Sequence, residues 1–455
     1  MYFKRPHGQR RENFQMKMKK LGASILATIM AASMLAGCGQ SSTQTSETTS
    51  DAQVSEATEV ASDAATAADE AAATKSIEPT EITFWHYMTG NLEETLTALT
   101  DEFNSTNEYG ITVTLVNQGY ASDLQTKLQA SAAADALPDL TQAYNNWLTP
   151  YLDKIVHLDD FVANDFDNWD DIVEAYRGEC SEFGFVHAVP FNKSTYVLFY
   201  NKTLFDELGI EAPKTWADVE ADAKIVKDAK GIAFIGYDDS TGAIEATLKQ
   251  NGESFVDETG ALFDTDGGRE AFEYLSNLYN NGYARLVGED GYFSNVISNQ
   301  NIASYVGSSA GVSYITAEGW ELGVAPLPGN KVNAANMAGT NIVMFSQDTN
   351  KQLAAWEYLK FLTSTESTSK WAVSTGYLPV RQSAYETAEY KAYMEENICA
   401  AACYEQSKDF FYSPTFDASN DIRNSVSPAF EQLVLDKADA QTWFDTILST
   451  INAQY

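Results

Sequence analysis

Histidine and cysteine occur only four times each in these 455 residues. Beyond residue 38 the histidines are His86, His157 and His187, too few and too scattered to make a metal site. Cys180, Cys399 and Cys403 also lie beyond it, and an odd number argues against a disulfide framework. Cys399 and Cys403 fall at i and i+4 of a helical stretch, a poor geometry for a bridge. All three read as small buried thiols. Basic residues are scarce as well, 29 against 64 acidic ones, for a formal charge of −35. Nucleic acid needs Lys and Arg clusters that are absent, and adsorption to anionic lipid is disfavoured for the same reason. The chain has no G-x-S-x-G elbow, Walker loop, dinucleotide glycine triplet or H-E-x-x-H. The acid-rich stretches "DFDNWDDIVE" and "FDTDGGREAFE" lack the alternating ligands, central Gly and closing Glu of a calcium loop. No spacing singles out a carboxylate pair for glycoside hydrolysis. Neither an enzyme nor a metal or cofactor is indicated.

What is present begins with a processed N-terminus. "MKMKK", residues 16–20, is a basic lead, and "LGASILATIMAASMLAG", residues 21–37, is an apolar run too short and too rich in small residues for a comfortable membrane span. It ends in Leu35-Ala36-Gly37-Cys38, which resembles the bacterial lipobox. That resemblance implies a signal peptide over 1–37 and a lipid attached to Cys38. Residues 1–15 sit awkwardly before such a signal, and translation is expected to start at Met16 or Met18. Loss of 1–37 removes seven basic residues and one acid, leaving a charge of −41. Residues 39–75 are mostly Ser, Thr, Ala and acids, with no aromatic residue. Such a stretch cannot bury enough apolar surface to offset its ordering entropy, so 38–78 is expected to be a flexible, lipid-anchored linker.

From residue 79 onward, strand and helix patterns alternate. Ile82, Phe84 and Trp85 mark a first buried strand; Leu92, Leu96, Leu99 and Phe103 recur at helical spacing; "ITVTLVN" from Ile111 is a second strand. "SDLQTKLQASAAADALPDL" predicts a helix closed by Leu-Pro. Thr215-Trp216-Ala217-Asp218 is a capping box opening another helix. "GIAFIGY", "NIASYVG", "GWELGVAPLPG" and "NIVMFSQ" predict short strands, and "KQLAAWEYLKFLTS" a helix. The class is α/β, without internal repeats. One stretch is unusual. "VPFNKSTYVLFYNKTLF", residues 189–205, joins a polar patch, Asn192 to Thr195, to an apolar strand ending in Tyr-Asn-Lys.

That stretch, continued through "DELGIEAPKTWADV" and taken with "ITFWHYMTG", "GVAPLPG" and "STGYLPV", resembles the extracellular solute-binding proteins of ABC importers. The likeness covers about Glu81 to Tyr455. Within that class P-F-N-x-S-T-x-V-L-x-Y-N-K, Thr375 to Pro379 and Ile422-Arg423 are similar to the glycerol-3-phosphate-binding proteins. The resemblance implies a two-lobed, periplasmic-binding-protein-like fold with a ligand cleft and a three-segment hinge, crossed near 190–196, 298–306 and 339–347. Lobe one is expected over 79–190 plus 303–342, and lobe two over 191–302 plus 343–455. A strand starting at the cleft floor then has a reason to show polar atoms first and apolar ones after.

The resemblance also implies a site. Ser194, Tyr377, Arg423 and Tyr120 match the residues that hold a phosphate in that family. Ser309 and Gly311, in the loop Ser308 to Gly311, and Gly339 fall where its backbone closes on the ligand. Ala121 stands where the family has a carboxylate for glycerol, and its aromatic residues near "GYDDSTGAIEATLKQNG" are missing, leaving Tyr237 as a substitute. Trp85, His86 and Tyr144 read more readily as core than as cleft lining. The expected protein is a monomeric, lipid-anchored binding component on the outer face of the cytoplasmic membrane. It would hand glycerol 3-phosphate or a glycerophosphodiester to a permease and its ATPase, or alternatively an oligosaccharide to a sugar importer.

Overall fold

A computed structural model describes residues 76–455. The expected signal segment, the linker up to residue 75 and Cys38 lie outside the described residues. The strands are β1 (Thr80–His86), β2 (Ile111–Asn117), β3 (Leu140–Ala143), β4 (Val189–Asn201), β5 (Val256–Asp257), β6 (Gly260–Ala261), β7 (Ser304–Ser308), β8 (Leu322–Ala325), β9 (Ala335–Met344) and β10 (Phe410–Phe411). The main sheet runs β2-β1-β3-β9-β4-β7, with β8 also on β4 and β10 on β9, while β5 and β6 form a separate ribbon. β1 lies parallel to β2 and β3, and β9 runs antiparallel to both β3 and β4. An α/β pattern with parallel strands next to helices is what the alternation predicted.

Two strands do the joining. β4 pairs with β9 through Val189 to Thr195 and with β7 through Tyr196 to Tyr200, with a register shift between Pro190 and Lys193. β9 pairs with β4 along its first part and with β3 from Asn341 to Met344. Each long strand thus feeds two separate hydrophobic cores. The first holds Phe84, Leu96, Leu99, Phe103, Met344, Leu359 and Trp371. The second holds Leu198, Phe205, Trp216, Val219, Ile422, Val426 and Trp443.

This packing corrects the expected division of the chain. Ser304 to Ser308 pairs along the second-core half of β4, whereas 303–342 was expected in lobe one. Residues 354–371 carry Trp356, Leu359, Leu362 and Trp371 into the first core, whereas 343–455 was expected in lobe two. The segment 298–306 does not cross, since Ile297, Ile302 and Tyr305 all pack together. Gly376 to Leu378 is tied to β4, where Leu378 N–H bonds to the Lys193 carbonyl at 2.7 Å, and Ala372 and Val380 on either side of it pack in one cluster with Ile172 and Tyr176. Strand patterning reports burial on both faces but not which neighbour a strand chooses, so it could not assign these pieces.

Local expectations fare better. The first predicted helix is Asn91–Thr106, and its period-derived residues Leu96, Leu99 and Phe103 are buried. The helix Trp216–Lys230 starts with the predicted box: Thr215 Oγ1 accepts the Asp218 N–H at 3.2 Å and Asp218 Oδ2 accepts the Thr215 N–H at 2.9 Å. "GIAFIGY" is not a strand; Ala233, Ile235 and Tyr237 make only single parallel bridges, to Ile302, Ala284 and Val306. Cys180, Cys399 and Cys403 are free and buried.

Candidate functional site

Where β4 and β9 pass between the two cores, they floor a cavity of about 210 Å³. Its near wall is the turn after β3, Tyr144 to Asn146, with Glu179 behind it. Its far wall is Asp239 and Glu245 on one helix, Ser419 and Arg423 on another, and the strap Ser413 to Thr415. The walls touch directly: Asn146 Nδ2 donates to Asn420 Oδ1 at 2.7 Å, and Asn420 Nδ2 donates to the Asn146 carbonyl at 2.8 Å. Glu182 adds a second tie, accepting the Thr415 N–H at 3.1 Å and Asn145 Nδ2 at 2.6 Å.

Arg423 sits on the helix Ser419–Leu435, which Ile422, Val426 and Phe430 anchor in the second core. Its guanidinium meets two carboxylates, Asp239 Oδ2 at 2.6 Å and Glu245 Oε1 at 3.1 Å. Asp239 caps the helix Ser240–Gln250 by accepting the Gly242 N–H at 3.0 Å, and also accepts the Tyr196 hydroxyl at 2.9 Å. Glu245 lies on the same helix among Ala243, Ile244, Ala246 and Leu248, and its second oxygen accepts from Ser413. The two halves of this cluster respond oppositely to burial. For Arg423, burial opposes the charge, but Glu245 and then Asp239 outweigh it and hold the guanidinium above its ordinary pKa. For Glu245, burial wins over Arg423 and Ser413, so its carboxyl sits above the ordinary range. One cation is shared by two acids.

The near side is built around a different cation. Lys193, fully buried on β4, pairs with Glu179 Oε2 and lies 5.6 Å from the centre of the Tyr176 ring. Asn341 Nδ2 donates to the same Glu179 oxygen at 2.9 Å and to Asn145 Oδ1 at 2.8 Å. His187 Nε2 lies 3.2 Å from Asn145 Oδ1, and burial pushes its pKa down to about 3, so the ring is a neutral donor there. Burial also pushes Glu182 up to about 7, against the pull of its bonds from Asn145 and Thr415.

Of the residues expected from the resemblance, Gly339 and Arg423 line the cavity. Gly339 has φ +103° on β9, and a Cβ there would stand 2.1 Å from the Asn192 carbonyl oxygen; only glycine lets β9 lie this close to β4. Tyr377 stacks on Trp371 at 6.1 Å; burial raises its pKa while a bond with Asn192 lowers it. Ser194 is buried and accepts from Ser308 Oγ at 3.2 Å. Ser309 is also buried and takes the Thr195 N–H at 3.3 Å, and Gly311 lies in the short turn that follows. Tyr120 is 76% exposed at the start of the helix Ala121–Ala133, where it is bound into a capping box with Asp123. Ser194, Ser309, Gly311, Tyr120 and Tyr377 therefore do not line the cavity with Arg423. Tyr237 belongs to a smaller void of about 20 Å³ with Tyr196 and Trp216. Tyr144, read as core, does line the cavity; it lies beside Tyr87, with hydroxyls 3.1 Å apart.

Sequence reasoning missed Asp239, Glu245, Glu179 and Asn336. Glu245 carried a signal, an acid inside an otherwise apolar helical run. Asn336 is 4% exposed and lines the cavity, and its Oδ1 has no hydrogen-bond partner among the described residues. No cluster of His, Cys, Asp and Glu among the described residues could hold a metal ion. No helix there is long and apolar enough to cross a membrane.

Two cores joined by crossing strands, with a polar cavity between them, define a two-lobed solute-binding protein. Residues 98–396 match the model of the bacterial extracellular solute-binding protein family, and the chain belongs to that family. It is a transport component of the ABC-importer type and not an enzyme. The sn-glycerol-3-phosphate-binding periplasmic protein of Yersinia pestis bv. Antiqua is 26% identical over 387 residues, covering 79% of this chain and 87% of its own. The cyclic α-maltosyl-1,6-maltose binding protein from Arthrobacter globiformis superposes with a TM-score of 0.75 at 23% identity, covering 83% of this chain and 99% of that one. UgpB from Mycobacterium tuberculosis, solved with glycerophosphocholine, gives a TM-score of 0.69 at 21% identity, covering 82% and 98%.

Proposed function

We propose that this protein captures a neutral, polyhydroxylated solute, a saccharide, between its lobes and delivers it to an ABC permease. The observation that carries this reading is the state of Arg423. Its charge already answers Asp239 and Glu245, and Glu179 on the opposite wall is matched by Lys193. The cavity lining thus has three carboxylates and one guanidinium. Two unit charges 4 Å apart interact by about 4 kcal/mol at the effective dielectric of a protein surface. A phosphate dianion entering beside Asp239 and Glu245 would meet that repulsion twice before gaining Arg423. Sugar hydroxyls donate to carboxylates and accept from Asn146 and Arg423 without such a cost, and Tyr144 and Tyr196 supply flat apolar faces. Ligand bridging the walls would favour the closed arrangement by its differential affinity for it.

A glycerophosphodiester is the second reading. It is favoured by the stretches Phe191 to Lys202 and Gly376 to Pro379, which carry the resemblance to the glycerol-3-phosphate-binding proteins, and by the curated relatives, which are named for sn-glycerol 3-phosphate. It requires Arg423 to leave its carboxylates for the ligand. We also infer attachment through a lipid on Cys38 and action as a monomer.

Calorimetric titration of the purified protein with maltotriose, glycerol 3-phosphate, glycerophosphocholine and glycerol separates the two. Saturable binding of maltotriose or another neutral saccharide with no heat from the phosphorylated ligands is expected. Saturation by glycerol 3-phosphate or glycerophosphocholine, with saccharides silent, would sink the saccharide reading.

A further inference from the structure

The 210 Å³ cavity is small for its task, since small-molecule sites usually enclose about 300–1,000 Å³. The strap that lines it also borders a much larger groove of about 1250 Å³. Glu182, Pro414 and Thr415 border the groove; Pro414 and Thr415 also line the cavity, and Glu182 reaches its wall through Asn145, so the two spaces adjoin. The groove runs from the helix Glu174–Glu179 past residues 382–386 to the segment Tyr404 to Phe416.

Its lining combines flat rings with hydrogen-bonding groups. Tyr412 lines the groove, two residues before Pro414, with its ring laid on Gly178; a Cβ on Gly178 would come within 2.9 Å of Tyr412 Cε1. Further along, Tyr404 is 41% exposed and stacks on Tyr385 with ring centres 5.2 Å apart, and its hydroxyl donates to Glu386 at 3.2 Å. Gln382, Ser383 and Ser407 line the same groove. Glu174, Glu182, Glu258 and Glu386 outnumber Lys249 and Lys408, so an anionic chain is disfavoured here as in the cavity. Aromatic faces spaced among hydroxyls, amides and carboxylates suit the apolar faces and equatorial hydroxyls of successive sugar rings.

We propose that the solute is an extended neutral oligosaccharide, with one end in the cavity beside Arg423 and the rest running past Tyr412 along the groove to Tyr404. This rests on the saccharide reading above. It assigns Tyr412 and Tyr404 as residues that set the preferred chain length.

The test uses saccharides of graded length, with two, three and six units, in the malto, cello and xylo series, titrated by calorimetry. The chain that binds is expected to do so at least tenfold more tightly as the hexasaccharide than as the disaccharide. In Tyr404→Ala, an exposed position, the ratio of these two affinities should fall towards one. In Tyr412→Ala the advantage of the trisaccharide should fall as well. Equal affinities for two and six units in the unaltered protein overturn the extension and leave the saccharide reading standing. So does a Tyr404→Ala variant that weakens both lengths equally. Binding of glycerophosphocholine with no saccharide of any length overturns both.

Discussion

Two cations serve this cleft, and their circumstances differ. Lys193 is sealed from solvent and answers one acid, Glu179, with Asn341 and the Tyr176 ring completing its surroundings. Arg423 is a third exposed and answers two acids, Asp239 and Glu245. A balanced, dry pair is a strut: it has no spare valence and nothing to exchange with. An unbalanced, half-wet cluster retains acceptor capacity and can trade partners with an incoming hydroxyl. The first holds the crossing strands together; the second is where we propose that recognition takes place.

Breaking the strut should have the largest effect. Lys193→Met leaves Glu179 facing the interior without its cation, a loss that typically costs about 3–5 kcal/mol. Thermal denaturation should show a Tm lower by many degrees, with much of it recovered in the Lys193→Met/Glu179→Gln pair. An unchanged Tm in the single variant would mean that the pair is not the strut described. Rebalancing the second cluster comes next. Asp239→Asn with Glu245→Gln releases Arg423, and affinity for glycerol 3-phosphate at low salt should rise at least tenfold. A fall would mean that the anion site was already active and depended on those acids.

The smallest effect is in pH dependence. Glu182 has its pKa pushed up by burial to about 7 from an ordinary 4.5, so the folded chain holds the extra proton between those values. Stability from this residue is therefore lost as pH rises from about 4.5 to 7. His187 acts in the opposite sense: its value is lowered from 6.5 to about 3, so stability is lost as pH falls below about 6.5. Over the shared interval they offset each other. Glu182→Gln should remove the first contribution and leave a steeper loss on acidification, read from Tm at pH 5, 6, 7 and 8. Parallel profiles for variant and parent would contradict the assignment.

Much of the fold was legible because local rules carry it. The 3–4 spacing of Leu96, Leu99 and Phe103, and the box at Thr215 and Asp218, depend on neighbours within a turn or two. The motif around Phe191 to Lys202 forms one strand that pairs first with β9 and then with β7, and its polar-then-apolar patterning is also local. "GIAFIGY" was misread because β-branched and aromatic residues report burial, and here burial came from packing between the 278–284 turn and the 302–306 strand. The site was less legible. Gly339 and Arg423 line the cavity together, but Asp239 and Glu245 were not singled out, because an acid comes to face the cavity only when a distant helix brings Arg423 beside it.

The sequence alone determined the alternating elements, the caps, the low-complexity lead and the family likeness, all set by residues close in the chain. Only the tertiary structure decided which segments share a core, that Leu378 is bonded to β4 at Lys193, and that Arg423 spends its charge on two carboxylates. Those depend on pairings between residues some 180 positions apart, such as Arg423 with Glu245 or Asp239. Chain-closure entropy and electrostatics settle such pairings for the molecule as a whole, and no local pattern encodes them.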